Sequence, residues 1–253
     1  MAGTVALTVP ATVVPRGFGR PERDDRPCPY IGAMQATITI AQDPAADALL
    51  SRDPFALLCG MLLDQQFPME HAFRGPAKLL DRFGTLDPRA VAAAEPGAFA
   101  DLAATPPAIH RYGRSMAGRI QALAAHVIEH YDGDTARIWT ESSDTSDLLD
   151  RLRELPGFGD QKARIFAALL GKQLGVQPLG WREAIGPYAE PDSYRSVADV
   201  VDAESLSKVR AFKQHAKAVA KAAAPAGAKS TSKATARATA KTPGGPAGET
   251  GNG

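Results

Sequence analysis

The stretch Leu155-Pro156-Gly157-Phe158-Gly159-Asp160-Gln161-Lys162-Ala163 has the residue types and spacing to hold an anion. A proline and two glycines leave room only for a tight turn. Glycine at 157 and 159 predicts positive φ and close approach of a neighbour, since no Cβ stands in the way. The amides near Phe158 to Gln161 are then expected to point outward at the start of a helix. Free N–H groups at the positive end of a helix dipole favour a phosphate oxygen. An ordinary αα-hairpin could be built from the same residues, so the rest of the chain has to separate the two readings.

Two amphipathic runs must position this turn. Upstream, Leu148, Leu149, Leu152 and Leu155 repeat at helical spacing, with Thr145 and Asp147 as candidate caps; downstream, Ala163, Phe166, Ala167, Leu170 and Leu174 do the same. An apolar run from Pro54 to Gln66 reads as a buried helix with Asp53 as N-cap. Shorter helices are expected from Gly75-Pro76 to Phe83-Gly84, from Asp87-Pro88 to Pro96, and around Phe99 and Leu102. His110 to Tyr131 carries the clearest period, through Met116, Ile120, Leu123 and Val127, stopped by Gly133. Beyond Gly175, Pro178, Gly180, Gly186, Pro187 and Pro191 interrupt the pattern. A last helix is expected from Asp202 to about Ala224. Only Ala36–Ile40 alternates as an edge strand would, so the fold class is all-α.

Composition divides the chain into three parts. Residues 1–33 hold scattered prolines, glycines and four arginines without lasting period and read as a poorly ordered extension, with Met34 as an alternative translation start. Residues 34–224 read as one helical domain, and residues 225–253 as a disordered basic Ala/Lys/Thr/Gly tail. Positions 208–248 contain nine Lys or Arg and no Asp or Glu, so the net charge of +1 combines an acidic body with a basic C-terminal region. That asymmetry suits an electrostatic tether to nucleic acid. Cys28 and Cys59 allow no disulfide framework, which points to the cytoplasm. No run approaches the length of a membrane span, and the N-terminus lacks the basic start and apolar core of a signal peptide.

The hairpin residues, Ala163 and the apolar helix to Gly171 resemble the helix-hairpin-helix element of the HhH-GPD base-excision DNA glycosylase superfamily. The helix from Pro54 to its glutamine pair resembles that family's first core helix. The resemblance implies a two-lobed helical glycosylase-like fold, a monomer acting on double-stranded DNA, with Gly157, Phe158, Gly159, Gln161 and Lys162 at the backbone. Members often hold a monovalent cation on hairpin carbonyls; the four cysteines of an iron–sulfur cluster have no counterpart here, so no cluster or other metal is expected. By the same resemblance Gln66 would enter the duplex near an extruded base, with Gln65 beside it as a further DNA contact.

The resemblance also implies a chemistry. A carboxylate stabilises the sugar cation or activates water, and bifunctional members add a lysine that forms a Schiff base. That lysine position is Gln161 here, with Lys162 turned about 100° from it on a helix, which implies monofunctional hydrolysis. The family aspartate would fall near Leu179, where residues 176–182 contain no acid. Glu183 is therefore the first candidate carboxylate and Asp64 the second, with Glu190, Asp192 and Asp199 further off. Trp181 and Tyr188 could stack on a base, and His110, Arg111, Arg114 and Arg119 could face phosphate. The alternative is a catalytically inactive DNA-binding protein on the same fold. Ending the chain near Ala224 removes Lys229, Lys233, Arg237 and Lys241. The log–log salt slope of DNA binding should then shrink by up to about 0.9 per lost phosphate contact.

Overall fold

The computed structural model describes residues 37–223. The expectations for residues 1–33 and 225–253 lie outside the described residues. Twelve α-helices are described: α1 (Pro44–Arg52), α2 (Pro54–Leu63), α3 (Met69–Phe73), α4 (Gly75–Phe83), α5 (Pro88–Ala93), α6 (Pro96–Ala104), α7 (Gly113–Tyr131), α8 (Arg137–Thr140), α9 (Thr145–Glu154), α10 (Asp160–Gln173), α11 (Trp181–Ile185) and α12 (Ala203–Ala223). Two 3-10 turns, Gly186–Tyr188 and Val197–Asp199, link the last three. The strand expected at Ala36–Ile40 does not form over residues 37–40, and no strand occurs among the described residues; Ala36 lies outside them. Ile38 and Ile40 are buried instead, as an irregular lead-in held by Ser51 and Asp47 on α1.

Asp43, Asp53, Asp87 and Glu95 each cap a helix that begins with proline, so start signals repeat along the first half of the chain. The cap of α9 is Asp144, whose side chain accepts from the Asp147 amide. This corrects the expectation for Thr145 and Asp147. Thr145 donates its hydroxyl to the Leu179 carbonyl, and Asp147 accepts from the Ser143 amide and from Arg151.

Helices α1 to α7 pack mainly on one another, and α8 to α11 pack around α10. These are the two lobes, joined by one continuous apolar core. The lobes meet where the α9–α10 hairpin abuts the C-terminal end of α2. Helix α12 is anchored at its start by Leu206 and Val209, while residues 214–222 are exposed on every side. No described helix is long and apolar enough to cross a membrane.

Trp181 belongs to this core. It is buried, donates its indole N–H to the Ala167 carbonyl at 3.0 Å, and lies against the backbone of Gly171. A Cβ at Gly171 would come within 2.3 Å of the indole ring. Gly171→Ala should therefore destabilise the fold by about 1–3 kcal/mol through overpacking, measured as a fall in urea midpoint without change in slope.

Candidate functional site

The hairpin forms as a turn of two unlike glycines. Gly157 has φ of +86°, and a Cβ there would meet Leu62 Cδ1 at 2.6 Å. Gly159 departs from expectation: its backbone is extended, at φ −98° and ψ 175°, and the place a Cβ would take has no atom within 4 Å. Open space beside an N-cap leaves room for an incoming group. The Phe158 amide is already bonded to the Leu155 carbonyl at 3.0 Å, so it is not one of the outward donors. No side chain caps α10. Its first-turn amides, from Asp160 to Lys162, therefore remain the donors for an anion. Phe158 itself is buried and packs edge-on against Phe166. Its side chain supports the turn from within.

Asp160 would repel an anion at that helix end if it stood alone. Arg153 and Arg164 both donate to it, and these hydrogen bonds hold its carboxyl below the ordinary carboxylate range. The two guanidinium groups offset its charge beside the amides.

In the first turn of α10, Lys162 reaches across the lobe boundary. Its ammonium donates to the carbonyls of Met61 and Leu62, at 2.9 and 3.0 Å, and lies 5.5 Å from the Phe158 ring centre. Burial lowers its pKa to about 8, although nearby Asp64 acts in the opposite sense. The expectation that Lys162 turns away from the site is corrected by this geometry. Lys162 and Gln161 both line a cleft of about 910 Å³ between the lobes. Gln161 donates to the Tyr188 hydroxyl at 3.1 Å, which sets Tyr188 beside it in the lining of the cleft.

The glutamine pair forms a braced corner after α2. Gln65 accepts from Arg119 at 3.0 Å, and Gln66 from Arg111 at 2.8 Å. Arg111 and Arg119 thus hold the corner, and Arg114 pairs with Asp101. His110 is buried under the corner. Its Nδ1 accepts from the Tyr112 amide, so the proton sits on Nε2, which donates to the Gln65 carbonyl at 3.1 Å. Burial pushes its pKa down and keeps the ring neutral for that role. Gln66 lies in the left-handed region at φ +53°, exposed and facing the cleft. A non-glycine residue in this conformation is uncommon and carries a backbone cost.

Of the candidate acids, the structure brings only Asp64 into the cleft, with its side chain 12% exposed and its carboxylate 3.7 Å from Lys213 on α12. Glu183 is exposed on α11 and does not line the cleft. Glu190 pairs with Arg195, Asp192 is exposed, and Asp199 is buried in a structural pair with Lys172 while capping its own 3-10 turn. Trp181, as core, is not available to stack on a base; Tyr188 is. Among the further residues that line the cleft without a motif to mark them are Glu70 on α3, and Arg210 and Lys213 on α12. An acid inside the otherwise largely apolar Phe67–Phe73 stretch is the one sequence signal for the first.

A cleft beside an uncapped helix N-terminus, with an acid and an amine in its walls, is an arrangement suited to a phosphodiester chain with one unit drawn inward. Comparison with known families agrees with it. The family model for HhH-GPD superfamily base excision DNA repair proteins matches residues 59–228. The chain belongs to the HhH-GPD superfamily. Its match begins within α2 and takes in the glutamine corner, the hairpin and α12, so every wall of the cleft is inside it. No curated protein and no solved structure matches the chain significantly. Membership in this base excision DNA repair family implies that the protein binds DNA.

The two hairpin glycines should separate by experiment. Gly157→Ala forces a Cβ into Leu62 at positive φ and should cost about 1–2 kcal/mol from the backbone conformation alone. Gly159→Ala should leave the melting temperature unchanged while lowering duplex affinity several-fold, equally for unrelated sequences, because phosphate contacts carry no base information. Thermal melts with fluorescence anisotropy at fixed salt check both; unchanged affinity in Gly159→Ala would remove the hairpin as a DNA contact.

Proposed function

We propose that this HhH-GPD protein is a monofunctional DNA N-glycosylase that hydrolyses the bond between a damaged, extruded base and its sugar. What supports this reading most is the meeting of the largely buried Asp64 with Lys162 in a cleft that opens beside the hairpin. A base must leave the helix stack before its sugar can be reached. The hairpin amides would hold the backbone phosphate while Gln66, strained at the cleft mouth, fills the gap left in the duplex. Tyr188 would lie against the base.

Breaking the N-glycosidic bond leaves positive charge on the sugar, and a carboxylate at that face stabilises it or takes a proton from water. Asp64 takes this role in place of Glu183. Water adds its hydroxyl to C1′, and the base departs with a proton. Lys213 must first release Asp64. Each chain carries the cleft and the hairpin complete, so a monomer is sufficient.

A second reading is favoured by the lowered pKa of Lys162. A neutral amine there could attack C1′ itself and form an imine, which leads to strand cleavage. Trapping by borohydride would then increase as pH rises through about 8, where the amine loses its proton. Under the monofunctional reading no adduct is trapped at any pH, and products break only after alkali.

A panel of duplexes, each with one lesion, incubated with the full chain and then treated with alkali, tests the proposal. Asp64→Asn should slow excision roughly 10²–10⁴-fold, the range of general acid–base effects, while Glu183→Gln leaves it unchanged. Full activity in Asp64→Asn would discard this carboxylate. Absence of excision from every lesion would leave a DNA-binding protein without catalysis.

A further inference from the structure

We infer that Glu70 reads the extruded base, and that the base it accepts is derived from guanine. The inference rests on the cleft being a base pocket. Glu70 stands on α3, directly after the glutamine corner, and lines the same cleft as Asp64. Its side chain is 10% exposed. One carboxylate oxygen, Oε1, takes the guanidinium of Arg210 from α12, with His71 Nε2 at 3.9 Å. The other, Oε2, is buried without any hydrogen-bond partner. Buried carboxylate oxygens are rarely left so, because each loses its water without replacement. In a ligand-binding cleft, a missing donor points to the ligand.

Donor geometry selects the ligand. A carboxylate with both oxygens accepting needs two adjacent N–H groups, the pattern that a guanidinium presents. Guanine presents the same pattern on its Watson–Crick edge, through N1–H and the 2-amino group. Uracil and thymine offer one N–H between two carbonyls, whose lone pairs would face the carboxylate. Adenine and cytosine set an amine beside a ring nitrogen acceptor, and one oxygen would stay unpaired. Arg210 is thus a stand-in for the base. Its side chain is 48% exposed, so it can swing out to solvent. Lys213 sits three residues further along the same helix face and holds Asp64. Withdrawal of this face frees the reading carboxylate and the catalytic one together.

The test measures affinity, so that it is separate from catalysis. Duplexes of one sequence carry a single 2′-fluoroarabino nucleotide, which resists cleavage, bearing 8-oxoguanine or uracil, and are titrated with the full-length protein. The 8-oxoguanine duplex should bind at least about tenfold more tightly, the discrimination expected of one bidentate base contact. Glu70→Gln turns one acceptor into a donor and should bring the two affinities together. Arg210→Gln removes the stand-in and should tighten 8-oxoguanine binding several-fold without changing uracil binding; it decides the matter if circular dichroism finds Glu70→Gln unfolded. Equal affinities for the two duplexes in the full-length protein would overturn the inference, as would a preference that persists in folded Glu70→Gln. Excision of uracil with equal affinities would leave the glycosylase reading intact and this one refuted. Selective binding without excision of any cleavable lesion would do the reverse.

Discussion

The ammonium of Lys162, held on the last carbonyls of α2, is the contact on which the rest of this architecture depends. Two carbonyls at the negative end of a helix offset part of the cost of taking the charge out of water. The remaining cost appears as the lowered pKa. In return, the contact fixes α10, and with it the hairpin, against the first lobe. Gly157 makes the approach feasible, since Leu62 occupies the space where a side chain would be. The outward amides of α10 and the glutamine corner of α2 are therefore held in register by one buried charge and one missing Cβ.

A second layer of constraint acts on the corner itself. Gln66, three residues past the end of α2, holds a left-handed backbone that carries a cost unless its surroundings support it. His110, Arg111 and Arg119 supply that support from one short stretch of chain, by a backbone carbonyl and two side-chain amides. Residues whose charge alone suggests phosphate contacts are engaged internally. Arg111 holds the Gln66 side chain, while Arg119 and His110 hold Gln65 beside it.

The acidic body and basic C-terminal region, visible as a charge imbalance along the chain, meet at the cleft. Arg210 and Lys213 of α12 pair with Glu70 and Asp64. In both pairs the acid is largely buried and its cationic partner is 35–48% exposed. A helix so held lines the cleft without sealing it, as the proposed entry of a nucleotide from a duplex requires.

The helices are legible in the sequence wherever local chemistry decides structure. Proline after an aspartate marks the starts of α2 and α5, glycine marks the stop of α4, and a long 3.6-residue period marks α7. The same signal at Asp43-Pro44 opens α1, where the alternation just upstream suggests a strand instead. The hairpin is legible for the same reason: glycines at fixed offsets between two apolar stripes act through the backbone nearby. Side-chain roles are not legible, because they depend on partners far along the chain. Trp181 reads as an aromatic in a broken loop, yet the bare backbone of Gly171 makes it core. Glu183 reads as the nearest acid, yet the turn of α11 sends it to solvent, while Asp64 and Glu70 gain their places from a helix about 140 residues later in the sequence. Sequence alone determined the helical elements, the turn and the charge asymmetry, all set by short-range preferences. Only the tertiary structure decided which acid, amine and aromatic share a cleft, because burial and charge pairing arise when distant segments meet.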